Sequence, residues 1–184
     1  MVNFIVSGCP RSGTSLTMNI IAKSGLPIAA DNKRAADYDN KKGYFEVDQI
    51  INKIKDDPQG IFKFDGKVVK IIHYGLQFLP KGDYKIIYVE RDLDEVLASM
   101  EKMMGKSDPN RAETKRIFSG FNEKIKKMIQ ERKDVDVLFI KYNDLLTTPE
   151  PVVDELIKFL GINLSKKQAM LSVIDPSLYR NRKI

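Results

Sequence analysis

Short apolar runs alternate along the chain with longer segments in which apolar residues recur every three or four positions. The short runs, rich in Val, Ile, Phe and Tyr, predict strands at residues 3–7, 68–72, 85–89 and 137–140. The longer segments predict helices at about 15–24, 47–55, 93–104, 111–132, 150–160 and 166–173. Nearly continuous apolar strands separated by helices predict a three-layer α/β/α fold with a central parallel sheet.

Composition is that of an ordinary globular protein. The 184 residues are 42% apolar and 30% charged, which predicts one domain over 1–184. No apolar run is long enough to span a membrane and no signal-peptide pattern is present, so we expect a cytoplasmic protein without a membrane partner. The net charge of +6 comes from Lys and Arg interleaved with acids, which is typical of solvated helix faces. We therefore expect no nucleic-acid partner, although the excess charge can steer a small polyanion to a cleft.

The first predicted strand runs into a glycine-flanked loop, GCPRSGTS, and then into a predicted helix. Gly8 and Gly13 keep the spacing of a phosphate-binding loop, but Thr14 stands where nucleotide triphosphatases have lysine. Backbone N–H groups in such a loop, together with the positive end of the helix, bind an anion. Arg11 adds a planar guanidinium that suits two oxygens of a phosphate or sulfate. A tight glycine turn without a ligand is the less favoured alternative.

Arg91 and Ser99 form a second candidate anion site. Arg91 follows a predicted strand, and Ser99 lies about two helical turns further on, so both can face one crevice. Taken alone, such residues are more often a salt-bridge partner and an incidental serine.

Two further features favour structural roles. Cys9, the single cysteine, lies in the loop, where a small buried residue is favoured over a nucleophile or redox group. Met100, Met103 and Met104 lie at helical spacing, which favours packing over a substrate pocket.

Four sequence segments together resemble the sulfotransferases that use 3'-phosphoadenylyl sulfate (PAPS). They are PRSGTSL at 10–16, GYFE at 43–46, YVERD with Ser99 at 88–99, and YNDLL with a following FLG at 142–161. They occur in the family's order over nearly the whole chain. The resemblance implies the P-loop-like sulfotransferase fold, PAPS as co-substrate, 3',5'-adenosine bisphosphate (PAP) as product, and no required metal. It also implies why the lysine is absent, since no γ-phosphate is transferred.

The resemblance assigns nucleotide-binding roles by position. Arg11, Ser12, Gly13, Thr14 and Ser15 match the loop that binds the 5'-phosphosulfate, with Arg11 where cytosolic members have lysine. Arg91 and Ser99 match the pair that binds the 3'-phosphate. Tyr142 matches a nucleotide-contacting tyrosine, and a core role is an equally good interpretation. The Arg-Lys-Gly segment of cytosolic members has no counterpart, and Arg180, Arg182 and Lys183 are more typical of a solvated tail.

Two residues compete as the base that accepts the acceptor's proton. His73 follows the second predicted strand, and its ordinary pKa of about 6.5 suits a base near neutral pH. Its spacing from Lys70 is one residue longer than in cytosolic members, so either side chain can lie outside the cleft. Glu46 is the alternative, because some family members use a glutamate in that segment. Lys70 and Arg11 are candidates to stabilise the leaving oxygen.

The resemblance thus implies in-line transfer of a sulfuryl group to a hydroxyl or amine of a small-molecule or carbohydrate acceptor. The segments 31–45 and 105–118 are expected to shape the acceptor pocket, and the polar stretch 31–43 to form a loop or lid. Two alternatives stay open. One is a module that binds nucleotide or anions without turnover, and the other is a P-loop nucleotide kinase, against which Thr14 argues.

Overall fold

The computed structural model describes residues 2–31 and 45–178. Within these residues the strands form one parallel sheet in the order β2-β3-β1-β4-β5. The strands are β1 (Asn3–Gly8), β2 (Ile28–Ala29), β3 (Val68–Lys70), β4 (Tyr84–Glu90) and β5 (Val135–Lys141). The predicted parallel sheet is confirmed.

Helices connect the strands and cover the sheet. They are α1 (Thr14–Ala22), α2 (Ile50–Asp56), α3 (Leu93–Met104), α4 (Arg111–Glu131), α5 (Tyr142–Thr147), α6 (Pro149–Leu160) and α7 (Lys167–Leu171). Short 3-10 helices occur at Pro58–Phe64, His73–Phe78, Leu164–Lys166 and Pro176–Leu178. None of the helices in the described part of the chain is long and apolar enough to cross a membrane.

Two apolar clusters lie on opposite faces of the sheet, because side chains alternate along each strand. The first cluster joins Val6, Ile87 and Val89 to α1, α5, α6 and α7. The second cluster joins Ile5 and Ile86 to α2 and α4. The three-layer α/β/α architecture predicted from the sequence is therefore confirmed.

The predicted elements are found with small shifts at their ends. Leu93–Met104 begins and ends where the sequence predicts, because Asp92 accepts hydrogen bonds from the Asp94 and Glu95 amides and Gly105 ends the helix at φ 66°. The strand predicted at 68–72 ends at Lys70. The sequence missed β2, which has two residues, and α5, which has six. The predicted loop or lid lies outside the described residues except for Asp31.

Strand order determines which segments surround the loop after β1. The central strand β1 pairs with β3 on one side and with β4 on the other. Because all three are parallel, their carboxyl ends lie at one edge, where α/β proteins bind ligands. The residues that follow β3 and β4 are therefore the nearest neighbours of the loop.

Candidate active site

The loop between β1 and α1 has a backbone that few residues tolerate. Gly8 and Gly13 have φ of 150° and 106°. A Cβ at Gly8 would lie 2.5 Å from the Val89 carbonyl oxygen, and one at Gly13 would overlap the ring of Tyr142. Arg11 also has a positive φ, 67°, which is uncommon for a residue with a side chain. Such alternation of right- and left-handed residues is what forms an anion-binding nest.

One buried hydroxyl of the loop has no hydrogen-bond partner among the described residues. Ser12 is fully buried and its Oγ has no hydrogen-bond partner within the described chain. A buried hydroxyl without a partner costs free energy unless a ligand or water satisfies it. Thr14, the first residue of α1, is also buried. The loop therefore carries polar groups that fit a bound anion.

The first group of side chains beside the loop is centred on Lys70. It ends β3, and its side chain is buried at 6% exposure. Its Nζ donates to Ser15 Oγ at 3.0 Å and forms a salt bridge with Glu46 Oε1 at 2.9 Å. The structure thus brings together three of the predicted site residues, which lie up to 55 positions apart in sequence.

Arg11 and Arg91 form the second group, on the β4 side. Arg11 Nε donates to Ser99 Oγ at 3.1 Å, across 88 positions of sequence. Arg91 Nη1 donates to the Arg11 carbonyl oxygen at 3.0 Å. The guanidinium of Arg91 also lies over the ring of Tyr142, 4.2 Å from its centroid. Tyr142 is both a core residue of the first cluster and a neighbour of the site, so neither interpretation of it excludes the other.

Glu95 is a site residue that the sequence did not single out. Its Oε2 accepts from Arg91 Nε at 3.0 Å, and the two side chains are 3% and 6% exposed. The four-residue spacing across the start of α3 is the signal that would have indicated it. Arg91, which the sequence predicts to bind the 3'-phosphate, is thus in a buried ion pair, and the salt-bridge interpretation of it is confirmed.

His73 lies at the same edge but in apolar surroundings. It opens the 3-10 helix His73–Phe78 and is 6% exposed. Its ring centroid is 5.0 Å from that of Phe121 and 6.5 Å from that of Phe118. Burial lowers the pKa of His73 to about 4, and a hydrogen bond to the Gly8 backbone acts in the opposite direction. His73 is therefore neutral near pH 7.

One ring nitrogen of His73 lacks a partner. Nδ1 is buried and has no hydrogen-bond partner among the described residues. A buried polar atom of this kind is normally satisfied by a ligand or by water.

Two other sequence predictions have different outcomes. Cys9 is buried, as predicted, and burial raises the pKa of its thiol to about 12, so it is a thiol rather than a thiolate near pH 7. The packing role predicted for the methionines is wrong for two of the three. Met103 and Met104 are 41% and 48% exposed, and they lie in the last turn of α3, a helix that contributes no residue to either apolar cluster.

The described residues contain no group of three or more His, Cys, Asp or Glu side chains placed to hold a metal ion. Arg180, Arg182 and Lys183 lie outside the described residues, as do Gly43 and Tyr44 of the GYFE segment.

Comparison with known proteins agrees with this fold. A family model described as the sulfotransferase domain matches residues 2–183. The match covers nearly the whole chain, and the chain belongs to this family. No curated protein matches the chain.

Solved structures show the same fold at low identity. A mouse sulfotransferase, SULT7A1, complexed with PAP is 16% identical with a TM-score of 0.52. The match covers 92% of this chain and 62% of the mouse chain, so this chain spans less than two thirds of the length of that relative. A sulfotransferase domain from the curacin biosynthetic pathway is 13% identical with a TM-score of 0.55, covering 95% and 78% of the two chains. The sulfotransferase domain of a Synechococcus PCC 7002 olefin synthase is 14% identical with a TM-score of 0.58, covering 100% and 89%.

Proposed function

We propose that this protein is a PAPS-dependent sulfotransferase that transfers a sulfuryl group to a hydroxyl or amine by in-line displacement. The observation that carries the proposal is the hydrogen bond from Arg11 Nε to Ser99 Oγ. It joins the loop, a candidate 5'-phosphosulfate site, to α3, a candidate 3'-phosphate site. A nucleotide with phosphates on both sides of its ribose needs two such anion sites within one molecule's reach.

Several residues would hold the nucleotide. The backbone of Arg11 to Ser15 and the unmatched Ser12 hydroxyl suit the 5'-phosphosulfate. Arg91 and Ser99 suit the 3'-phosphate, and Tyr142 contacts both Arg91 and the loop. The mouse structure that shares the fold is a complex with PAP, which supports the choice of nucleotide.

Transfer requires little covalent chemistry from the protein. The acceptor oxygen or nitrogen forms a bond to sulfur while the bond between sulfur and the phosphate oxygen breaks, and PAP leaves with the electron pair. Lys70 Nζ, which contacts Ser15 of the loop, and the Arg11 guanidinium would stabilise the charge that develops on the leaving oxygen. The acceptor's proton goes to a base.

His73 and Glu46 are the two candidate bases. His73 is supported by its buried Nδ1, which has no hydrogen-bond partner among the described residues. Glu46 is supported by its salt bridge to Lys70, which fixes a carboxylate beside the loop. The variants His73→Gln and Glu46→Gln separate them, because loss of turnover with unchanged PAP affinity identifies the base.

Calorimetric titration with PAP tests the nucleotide assignment, with AMP and Mg·ATP as comparison ligands. We expect PAP to bind in EDTA and to bind more tightly than AMP. Ser99→Ala should weaken PAP roughly 10- to 100-fold, because a hydrogen bond to a charged group is lost, and should leave AMP unchanged. Thr147→Ala, on the exposed end of α5, is a matched hydroxyl control and should leave both affinities unchanged.

Three results would be decisive. Preference for Mg·ATP would support the alternative of nucleotide kinase activity, and failure to bind PAP would remove the proposal of a PAPS-dependent activity. If the protein binds PAP but transfers no sulfuryl group from PAPS to any acceptor tested, it is a nucleotide-binding module rather than an enzyme.

A further inference from the structure

Two buried polar side chains lie side by side at the amino edge of the sheet, where its strands begin. Asn3 begins β1 and Tyr84 begins β4, and the two residues are paired neighbours in the sheet. Paired residues of neighbouring strands point to the same face, and this face carries the second cluster, to which Tyr84 and Ile5 belong. The side chains of Asn3 and Tyr84 therefore enter the same layer of the core.

The polar atoms of these two side chains have no hydrogen-bond partner among the described residues. Asn3 is 1% exposed, and both its Oδ1 and its Nδ2 lack a partner. Interchanging the oxygen and nitrogen of this amide would not alter the result, because neither position is paired. Tyr84 is 0% exposed, and its Oη also lacks a partner. Such atoms cost free energy in a protein core unless a ligand or an ordered water pairs with them.

Asp65 adds a carboxylate oxygen to the same region. It follows the 3-10 helix Pro58–Phe64 and precedes Gly66, whose N–H donates to the Val2 carbonyl oxygen at 3.3 Å. Asp65 is half-buried, but its Oδ1 is buried and has no partner within the described chain. Burial raises the pKa of Tyr84 to about 12, and the charge of Asp65 contributes to this rise, so the carboxylate lies near the Tyr84 hydroxyl. We define Asn3, Asp65 and Tyr84 as the amino-edge cluster.

The chemistry of the amino-edge cluster selects a small neutral ligand that both donates and accepts hydrogen bonds. Asn3 Nδ2 and the protonated Tyr84 hydroxyl are donors, whereas Asn3 Oδ1 and Asp65 Oδ1 are acceptors. An anion would be repelled by the Asp65 carboxylate. A cation would leave both donors unpaired and would lie close to the Arg132 guanidinium, which is 5.3 Å from the centroid of the Tyr84 ring. Water meets all of these requirements in the smallest volume.

We propose that the amino-edge cluster is a binding site for internal water, which joins β1 and β4 to the turn after the 3-10 helix Pro58–Phe64. A buried water typically makes about three hydrogen bonds to groups that would otherwise be unpaired, and the cluster supplies four such atoms. Because Asp65 is only half-buried, the water exchanges with solvent along this side chain. The site does not depend on the proposed transfer reaction, since the loop between β1 and α1 follows the opposite end of β1.

Two measurements on the unaltered protein test the water site. A high-resolution crystal structure should show ordered water oxygens about 2.7–3.2 Å from Tyr84 Oη and from an amide atom of Asn3. Magnetic relaxation dispersion of the deuterium signal of heavy water counts the water molecules that stay inside the protein. Tyr84→Phe should lower the amplitude of this dispersion by the contribution of at least one water. Asn3→Leu keeps the size of the side chain and should also lower the amplitude, so the test does not depend on one variant folding.

Tyr88→Phe is the matched control. Tyr88 is a buried tyrosine of the same strand, but its hydroxyl donates to Asn122 Oδ1 at 2.8 Å, so this variant should leave the dispersion amplitude unchanged. The same amplitude in the unaltered protein, Tyr84→Phe and Asn3→Leu would overturn the proposal. A crystal structure in which the side chains of the cluster hydrogen-bond directly to one another would also overturn it. Density surrounded by oxygens at about 2.3–2.6 Å would show a bound cation such as Ca²⁺ and would overturn the assignment to water.

Discussion

The buried pair of Arg91 and Glu95 allows a quantitative test of how the site is held together. The two side chains are 6% and 3% exposed, with 3.0 Å between Nε and Oε2. Removing one partner of such a pair leaves a buried charge and typically costs about 3–5 kcal/mol. We therefore expect Arg91→Met to lower the free energy of unfolding by about 3–5 kcal/mol.

The Glu95→Gln variant should cost less. The amide keeps the shape of the carboxylate and can still accept from Arg91, which also retains its bond to the Arg11 carbonyl and its contact with Tyr142. We expect a loss of about 1–2 kcal/mol. In the double variant the Gln side chain no longer faces a cation, so the two losses should not add, and the coupling energy should exceed about 1 kcal/mol.

Urea unfolding of the four proteins, followed by circular dichroism, measures this cycle. The control cycle uses Arg116 and Glu113, an ion pair on the outer face of α4 whose side chains are 77% and 54% exposed. Solvent screens this pair, so its coupling should fall within experimental error. Additive losses for Arg91 and Glu95, or the same coupling in both cycles, would refute the prediction that burial makes this ion pair strongly coupled.

Three further predictions concern the loop and its neighbours. Because the pKa of His73 is lowered to about 4 in the folded protein, the unfolded state binds more protons between about pH 4 and 6.5, and the free energy of unfolding should fall by up to roughly 3 kcal/mol as pH decreases through that window. In His73→Gln, urea midpoints should lose this part of the pH dependence. A dependence identical to that of the unaltered protein would contradict the lowered pKa of His73. Gly13→Ala should destabilise the protein by at least about 1 kcal/mol more than Gly25→Ala in thermal unfolding. Both glycines have positive φ, but only at Gly13 would the added Cβ overlap the Tyr142 ring. Equal losses would show that this overlap does not affect stability. Cys9 should react slowly with iodoacetamide in the native protein and rapidly in urea, and rapid native alkylation would show that the thiol is not protected by burial.

The sequence predicted the elements whose signals are local. Strands such as β1 and β4 have continuous apolar residues, and α3 carries its capping aspartate and its terminal glycine within the pattern. The strand β2 has only Ile28–Ala29, too few residues to show a period. The exposure of Met103 and Met104 was not predictable from spacing, since helical spacing shows which residues share a face but not whether another element covers that face.

The site was predicted as separate parts, and its connections were not. Loop residues and Arg91 were identified from motifs, but the partnership of Lys70 with Ser15 depends on β3 lying beside β1. Glu95 was missed because the helix dipole alone favours an acidic residue in the first turn, so its presence there did not indicate a role in the site. The contact of His73 with α4 depends on tertiary packing between segments about 45 residues apart, which a single sequence does not show.

The central position of β1 affects how the protein acquires its site. Among the described strands β1 comes first in sequence, yet its two pairing partners come about 65 and 80 residues later. Until β4 is in place, β1 has an open edge of unpaired backbone groups next to a loop whose left-handed residues have no support from Val89 or Tyr142. The loop between β1 and α1 therefore has its full set of neighbours only once β4 and α5 are in place, although it is encoded near the start of this sequence. A chain interrupted before β4 would contain the whole glycine-flanked motif and still lack both Val89 and Tyr142, the neighbours of its two glycines.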